Sequence, residues 1–345
     1  MAKILIADDG IEFDGKTLLS SPLGGVETSI IHLTEELAKL GHWVQVRNNC
    51  KIPMDHLGVE WRNFGANDWP KNIDLYIANR GDKLINLYPT ASRRVFWTHN
   101  PANYLIKWRY LSKLWRYQPT IIFIGTYHAT TYPKWAPGGE RLIIPYGISE
   151  IFCQSKERSR APRPKVIFTS NPLRSLDWLI DLWITRIEPR IPGAELHIFS
   201  GALTYGSVGE KKISQMNRVF SLAREHEKQG VKIRGPVTKS QLVREFREAR
   251  CILYRGDLNE TFCLAIGEAQ ASGVPAVVRD FGSVVERVKN NETGFIAEDD
   301  NTFVSKAIKL MTDDGLWLLY HKRAIELQRN WRWSDVAKAF EKLIE

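Results

Sequence analysis

Short apolar runs alternate with longer amphipathic segments along the first half of the chain. Apolar runs of roughly four to eight residues, bounded by polar or turn residues, are typical of buried strands in a parallel sheet. The predicted strands are residues 3–7, 43–46, 74–78, 94–98, 120–125 and 141–145. Residues 24–42 space their apolar side chains as a helix does and end at Gly41, which predicts a helix between the first two strands. Strand–helix–strand units of this kind predict a parallel sheet with right-handed crossovers.

Residues 153–165 interrupt the pattern, because they are polar, basic and proline-bearing, and they predict a linker. Beyond them the alternation restarts, with predicted strands at 166–170, 194–201, 231–235, 251–254 and 274–280 and predicted helices at 176–187, 209–229 and 239–250. We therefore predict an α/β protein with two doubly wound parallel-sheet domains, 1–152 and 166–330. A helix over 331–345 is expected to join the first domain. Two such domains facing each other would form a ligand cleft at the carboxyl ends of their strands.

Composition is typical of a water-soluble protein with room for two domains. The chain has 345 residues, of which 43% are hydrophobic and 25% charged. It contains no run of about 18 apolar residues, so no membrane-spanning helix is predicted. Residues 1–10 hold a short apolar run followed by two aspartates, which predicts a strand and not a signal peptide. The four cysteines form no C-x-x-C pair, and we expect them to be reduced in a cytoplasmic protein.

The net charge of +9 is unevenly distributed. Between Lys83 and Gly139 the chain has no Asp or Glu, although Lys and Arg recur throughout this stretch. Such a face favours an anionic partner: a lipid surface, a nucleic acid or a phosphorylated substrate. The plain alternative is a solvated basic surface.

Residues 103–120 lie within this region and mix aromatic with basic side chains. On a helical wheel one stripe holds Tyr104, Trp108, Leu111 and Trp115, and another arc holds Arg109, Lys113 and Arg116. One interpretation is an interfacial helix that lies on anionic lipid. The other is a stripe that faces the core, with a solvated basic face above it.

The stretch NETFCLAIGEAQASGVPAVV, residues 259–278, contains two carboxylates that the pattern makes conspicuous. A turn leads into a helix that is predicted to begin near Phe262–Cys263. Glu260 precedes the helix, and Glu268 lies about one and a half turns inside it, among small apolar residues. A buried carboxylate needs a partner, and a vicinal diol can donate two hydrogen bonds to one carboxylate.

This arrangement is suited to a nucleoside diphosphate sugar. The ribose would bind Glu268, the hexose would lie by Glu260, and the diphosphate would bind the amides at the helix start. The residues of that start are Thr261, Phe262, Cys263 and Leu264. The alternative is a carboxylate that stabilises a helix terminus, together with a solvated glutamate.

The pair Glu-x7-Glu, followed by AQASGVPAVVRDFGSVVERV at 269–288, resembles the retaining glycosyltransferases of the GT-B fold, the large family-four type also called glycosyltransferase group 1. Residues 24–46 resemble that family's amino-terminal Gly-Gly loop and helix. Residues 143–152 resemble its segment leaving the first domain, and residues 331–340 its closing helix. The resemblance covers nearly the whole chain.

The resemblance implies two Rossmann-like domains facing a central cleft, with the acceptor on the amino-terminal side and the donor on the carboxyl-terminal side. It implies transfer of a hexosyl group to an acceptor hydroxyl with retention of configuration, without a metal and without a cofactor other than the nucleotide-sugar substrate. The leaving phosphate itself could take the acceptor proton. Gly24 and Gly25 would lie near the donor phosphates and the acceptor, and His99 near the donor sugar.

Residues 168–179 depart from the family pattern. The family usually has an arginine after a glycine and a lysine five residues further on, which together neutralise the diphosphate. Here the glycine–arginine pair is missing, and Arg174 aligns with the lysine. Arg174 can bind phosphate through two nitrogens, and we expect Glu260, His99 and Arg174 to be the catalytic residues. One cation in place of two leaves the phosphate site incomplete.

No metal site is predicted, because no Asp-x-Asp motif stands at a strand end. The nearest acidic clusters, at residues 7–10 and 298–300, are interpreted as turns. Two other functions remain open: a GT-B sugar-nucleotide epimerase or phosphorylase, and a non-catalytic nucleotide-binding or membrane-associated scaffold. The expected partners are a nucleotide-sugar donor, a sugar, lipid-linked or small-molecule acceptor and an anionic membrane surface, with no nucleic acid. The protein would then be cytoplasmic and peripheral on the inner membrane face.

Overall fold

Two parallel sheets organise the chain in the computed structural model, which describes residues 1–201 and 212–344. Each sheet belongs to a separate folding unit. The first unit comprises Met1–Ser20, Gly25–Gly147 and Trp331–Glu345, and the second comprises Ser21–Gly24 and Ile148–Asn330. The polar stretch interpreted as a linker lies within the second unit.

The first unit contains a sheet of eight strands in the order β3-β4-β2-β1-β5-β6-β7-β8. The strands are β1 (Lys3–Asp8), β2 (Trp43–Asn48), β3 (Met54–His56), β4 (Val59–Asn63), β5 (Leu75–Asn79), β6 (Arg93–Trp97), β7 (Thr120–Phe123) and β8 (Arg141–Ile143). All neighbours are parallel except β3 and β4, which form an antiparallel hairpin at the edge. The six predicted strands are confirmed, whereas β3 and β4 were not predicted. Their alternation is short, with only Val59 and Trp61 of β4 facing the core.

The helices of the first unit are Thr17–Ser20, Gly25–Lys39, Trp108–Tyr117, Thr126–Thr130 and Trp333–Glu341. The predicted helix between β1 and β2 is confirmed. Ile30, Ile31, Leu33 and Leu37 are buried on one face of it, and Gly41 follows with a φ of 88°, as helix termination requires. The closing helix Trp333–Glu341 packs against Gly25–Lys39 within this unit.

The second unit contains a fully parallel sheet in the order β11-β10-β9-β12-β13-β14. The strands are β9 (Lys165–Phe168), β10 (Glu195–Ile198), β11 (Val231–Ile233), β12 (Cys251–Tyr254), β13 (Ala276–Arg279) and β14 (Gly294–Ala297). The five strands predicted here are confirmed. The sixth, β14, was not predicted because its four residues include glycine and alanine and give little apolar periodicity.

The helices of the second unit are Glu150–Cys153, Leu176–Leu182, Ile213–Glu225, Lys239–Glu248, Leu264–Ala271, Asp300–Thr312 and Asp314–Leu327. The predicted helix 176–187 continues beyond Leu182 as a π-helical turn, Trp183–Ile187. Residues 209–211 of the predicted helix 209–229 lie outside the described residues. The two helices between 300 and 327 were not predicted.

Strand order reverses once in each sheet, between β1 and β5 in the first and between β9 and β12 in the second. The prediction of two doubly wound parallel sheets is therefore confirmed. In open α/β sheets, the crevice for a ligand opens at the carboxyl ends of the strands where the order reverses. Within residues 1–201 and 212–344, no helix is both long and apolar enough to span a membrane.

Candidate functional site

Glu260 lies at the point where strand order reverses in the second sheet, a few residues beyond the carboxyl end of β12. Arg174, from the loop that follows β9, forms an ion pair with its Oε2 atom. The hydroxyl of Tyr254 donates to the same oxygen at 2.8 Å and accepts from the Ser170 hydroxyl at 3.3 Å. Burial and the neighbouring carboxylate raise the pKa of Tyr254 well above its ordinary value of 10.0, so the phenol stays a donor. The predicted residues Glu260 and Arg174 are therefore in direct contact.

The backbone around Glu260 is held by Gly282. The amide of Ser283 donates to the carbonyl oxygen of Glu260 at 3.0 Å, and the amide of Glu260 donates to Asp257 O at 2.8 Å. Gly282 has a φ of 67°, and a Cβ atom there would stand 2.1 Å from Asp257 O. Only glycine allows so close an approach of two loops, and this approach holds the backbone of Glu260 in place.

Glu268 has an internal partner that the sequence did not indicate. The Lys239 Nζ atom donates to both carboxylate oxygens, at 2.6 and 2.8 Å, and the Glu268 side chain is only 5% exposed. Lys239 is the first residue of the helix Lys239–Glu248, which Thr238 and Gln241 begin with a capping box. The predicted helix 239–250 already placed Lys239 at a helix start, as the capping pattern Thr-x-x-Gln also indicates, but only the tertiary fold brings it to Glu268.

Two loops that carry site residues end in a strained residue. Ser175, directly after Arg174, has a φ of 61°, and Cys263, directly before the helix Leu264–Ala271, has a φ of 65°. A left-handed conformation at a residue with a side chain costs on the order of 1 kcal/mol or more and is often found at functional sites. These two residues turn the chain abruptly from the strand edge into each helix.

The predicted helix start lies in the interior of the unit. Thr261, Phe262 and Cys263 are buried and Leu264 is half-buried. Burial and the nearby Glu260 raise the pKa of the Cys263 thiol well above its ordinary value, so the thiol remains neutral. The guanidinium of Arg287 lies 4.3 Å from the centre of the Phe262 ring, and burial lowers the pKa of this arginine. Arg287 is a further cation of this region that sequence reasoning missed.

A cavity of about 80 Å³ opens at the carboxyl ends of β9, β10 and β11. Its lining includes Thr169, Ser200, Val237 and Lys239. The hydroxyl oxygens of Thr169 and Ser200 are buried and have no hydrogen-bond partner among the described residues. Buried hydroxyls are nearly always paired in folded proteins, so these two are available to a polar ligand.

The first sheet carries a second polar cluster where its own strand order reverses. Asp8 ends β1 opposite Asn79, the last residue of β5, and accepts from Asn79 Nδ2 at 2.6 Å. Arg80 Nε lies 3.3 Å from the same oxygen of Asp8, and Arg80 Nη2 donates to Glu27 at 2.8 Å. Burial is the largest influence on the Asp8 carboxyl and raises its pKa.

This cluster corrects the interpretation of residues 7–10 as a turn, because Asp8 is the buried end of a strand. The sequence signal was weak, since an aspartate at the end of an apolar run is also common in turns. Asn79 and Arg80 were missed for the same reason. Asn79 ends the apolar strand β5 and Arg80 follows it, and both acquire a role only through the pairing of β5 with β1.

His99 lies in the same cluster, two residues beyond β6. Its Nε2 atom contacts Asn79 Oδ1, and its Nδ1 atom contacts the Tyr146 hydroxyl. Since Asn79 Nδ2 donates to Asp8, the Asn79 oxygen is an acceptor, which assigns the proton to Nε2 and leaves Nδ1 to accept from Tyr146. Burial holds the His99 pKa well below 6.5, so the ring is neutral. Both ring nitrogens are thus engaged by side chains of the first unit.

Gly24 and Gly25 do not use the positive φ that glycine permits. Gly25 is the first residue of the helix Gly25–Lys39, and neither glycine is among the residues with positive φ. The chain enters the helix directly, so no left-handed residue is required there. Ser29 Oγ donates to Gly25 O at 2.6 Å within the first turn.

A larger cavity, of about 390 Å³, lies at the amino-terminal edge of the second sheet between Arg247, Gly273 and Trp317. None of the predicted site residues lines it. Size alone therefore does not identify the site, and the pairing of buried charges with the strand-order reversal is the better guide. Among residues 1–201 and 212–344, no group of three or more His, Cys, Asp or Glu side chains is placed to hold a metal ion.

The family-model match lies within the second unit. Residues 163–313 match the family model described as glycosyl transferases group 1. This match includes Arg174, Lys239, Glu260 and Glu268. No curated protein sequence is significantly similar to the chain.

Solved structures resemble the whole chain. A sucrose-phosphate synthase from Thermosynechococcus elongatus is 16% identical with a TM-score of 0.76, covering 99% of this chain and 98% of that one. Anabaena HepE, solved with UDP and glucose, is 16% identical with a TM-score of 0.71 and 99% coverage of both chains. A glycosyltransferase from Rickettsia africae is 14% identical with a TM-score of 0.70, covering 99% of this chain and 97% of that one. The chain therefore has the GT-B fold.

The protonation of His99 gives a direct check on the first-unit cluster. In ¹⁵N NMR of the imidazole, Nε2 should be protonated and Nδ1 should not, and neither shift should titrate between about pH 8 and about pH 6. Tyr146→Phe should move the Nδ1 shift and cost about 1–3 kcal/mol, since an acceptor loses its donor. A ring that titrates near pH 6.5 would contradict the neutral, doubly bonded histidine.

Proposed function

We propose that the protein is a glycosyltransferase that moves a hexosyl group from a nucleoside diphosphate sugar to an acceptor hydroxyl. The observation that carries the proposal is the pair of buried, cation-bound carboxylates at the carboxyl edge of the second sheet. Both lie in the segment that matches the glycosyl transferases group 1 model. The GT-B fold, which HepE shares in a structure with UDP and glucose, adds support.

The second unit binds the donor in this proposal. Glu268 accepts two hydrogen bonds from the ribose diol through the two oxygens that Lys239 now occupies. The diphosphate lies near Arg174, and the small cavity with the hydroxyls of Thr169 and Ser200 receives further polar groups of the nucleotide. Nucleotide recognition at this edge is typical of doubly wound sheets.

Glu260 acts on the transferred sugar. As the bond to phosphate breaks, the sugar ring gains positive charge, and a fixed carboxylate stabilises that charge more than it stabilises the ground state. Tyr254 and Arg174 hold the Glu260 carboxylate in place. Arg174 is then also positioned to balance the negative charge of the leaving phosphate.

The reaction retains the anomeric configuration and needs neither metal nor cofactor. No enzyme carboxylate need act as a covalent nucleophile, because the leaving phosphate itself takes the acceptor proton. The first unit binds the acceptor. In that unit His99 is a positioning residue that orients Asn79 and Tyr146, because both of its ring nitrogens are occupied.

A membrane-bound acceptor is favoured by the helix Trp108–Tyr117. Tyr110 and Leu114 form its buried face, whereas the Trp108 and Trp115 side chains are 80% and 71% exposed. The two tryptophans therefore do not belong to a core-facing stripe. Exposed indoles beside Arg109 and Arg116 are typical of a helix that lies on an anionic membrane surface. We propose a cytoplasmic protein that is peripheral to the membrane.

The proposed activity is tested by incubating the protein with nucleotide sugars that differ in base and sugar. The selective donor should raise the melting temperature, and the nucleoside diphosphate should be released only when an acceptor is present. Release should persist in EDTA, and NMR should show the same anomeric configuration in donor and product. Epimerisation or hydrolysis without an acceptor would instead favour the epimerase or phosphorylase alternative, and binding without turnover would indicate a scaffold.

The two glutamates should separate binding from catalysis. Glu268→Gln should raise the donor KM and weaken nucleoside diphosphate binding by roughly 10- to 100-fold, because its ribose contact is the same in ground and transition states. Glu260→Gln should lower kcat by about 10²–10³ and leave nucleoside diphosphate binding nearly unchanged, because that ligand has no hexose. The reverse pattern would mean that the two roles are exchanged.

Vesicle sedimentation tests the membrane surface. The protein should bind vesicles of anionic phosphatidylglycerol more tightly than neutral ones, and salt should weaken binding because it screens the basic side chains. Trp108→Ser combined with Trp115→Ser should reduce binding about tenfold or more. Leu319→Ser, at a 54% exposed apolar residue of the second unit, serves as the control. Equal binding to both vesicle types would contradict the membrane proposal.

A further inference from the structure

Lys239 occupies an unusual position for a cation. It is the first residue of the helix Lys239–Glu248, at the end where the helix dipole favours negative charge. No acidic residue stands in that first turn. The carboxylate of Glu268 supplies the missing negative charge, so this corner of the second unit attracts anions whenever Glu268 is otherwise engaged.

Lys239 also lines the small cavity that holds the two hydroxyls without hydrogen-bond partners. The lysine side chain is 26% exposed, whereas that of Glu268 is 5% exposed. Ser200, whose hydroxyl has no partner among the described residues, is 5% exposed. The ammonium can therefore move toward a ligand in the cavity, while the carboxylate stays where it is.

The diphosphate of the proposed donor requires more positive charge than Arg174 provides. The loop after β9 has one arginine, and Glu260 already binds it. We propose that Lys239 is the second cation for the diphosphate and that Glu268 holds it in place until the donor arrives. This inference rests on the proposed function, and it assigns the second phosphate cation to a residue outside the loop after β9.

Binding is then an exchange of partners. The ribose diol donates to the two Glu268 oxygens that now accept from Lys239 at 2.6 and 2.8 Å. The released ammonium pairs with the diphosphate, so neither buried charge is left alone. The ribose takes over the hydrogen-bonding positions on Glu268 that Lys239 leaves, and the diphosphate takes over the ammonium that the ribose displaces. A nucleoside without phosphates would displace Lys239 with no replacement partner and should gain much less from Glu268.

Isothermal titration calorimetry of the full chain tests this exchange with UDP, GDP, ADP and dTDP, followed by the nucleoside of whichever binds. Lys239→Ala should weaken the nucleoside diphosphate by about 10- to 100-fold, the weight of one charge-assisted hydrogen bond. The affinity of this variant for the nucleoside should stay the same or rise, because Glu268 no longer has to release a lysine. Lys239→Arg should recover most of the loss. Arg244→Ala, an exposed cation on the same helix, should change neither ligand.

Making the Lys239→Ala change in a Glu268→Gln variant separates two roles of Lys239: binding the diphosphate and balancing the charge of Glu268. Glu268→Gln removes the buried charge, so the Lys239→Ala change can be made in it without an unpaired carboxylate. The double variant should still bind the nucleoside diphosphate about tenfold or more weakly than Glu268→Gln alone. Equal binding by those two variants would overturn the inference, as would a single Lys239→Ala variant that weakens the nucleoside and its diphosphate equally.

Nucleoside diphosphate binding by the wild type and by Lys239→Ala separates a failure of the proposed function from a failure of the role of Lys239. A wild-type protein that binds none of the four nucleoside diphosphates overturns the proposed function and this inference with it. A wild-type protein that binds one of them, alongside a Lys239→Ala variant that binds it equally well, overturns only the role of Lys239.

Discussion

A carboxylate buried at the edge of a sheet must have a partner, and this requirement shapes both units. Removing an ion from water without compensation costs several kcal/mol in a real protein. Asp8, Glu260 and Glu268 are all buried, and each is held by a cation or an amide from a neighbouring element. Because the partners come from different strands, helices and loops, each pair ties together separate elements of its unit.

The same requirement explains how such a site can bind a ligand. A partnered carboxylate gives up its cation only to a group that donates hydrogen bonds equally well, and the cation leaves only toward another anion. A nucleoside diphosphate sugar offers hydroxyls and phosphates together, so it can replace both partners at once. Neither a nucleoside nor pyrophosphate alone meets both conditions. The selectivity of the second unit would then follow from charge balance as much as from shape.

The sequence predicted most of the sheet strands because buried parallel strands are continuous apolar runs. It singled out Glu260 and Glu268 by their Glu-x7-Glu spacing, and Arg174 by its alignment with a lysine of the family it resembles. It could not predict that Lys239 meets Glu268, since 29 residues separate them and only the tertiary fold brings them together. Asp8 was interpreted as a turn residue because strand ends and turns share aspartate. The edge strands β3 and β4 were missed because their apolar periodicity covers too few residues. Local sequence pattern therefore predicts the strands and helices and two acidic positions. Which residues of different elements meet can be seen only in the folded structure.

A crystal structure of the full chain with its preferred nucleoside diphosphate tests the central claim most directly. The account predicts ribose oxygens within hydrogen-bonding distance of Glu268 and Lys239 moved from that carboxylate to the diphosphate. Arg174 should lie on the other side of the phosphates, with Glu260 beside the space left for the hexose. A nucleotide bound elsewhere, with the Lys239–Glu268 pair intact, would contradict the account.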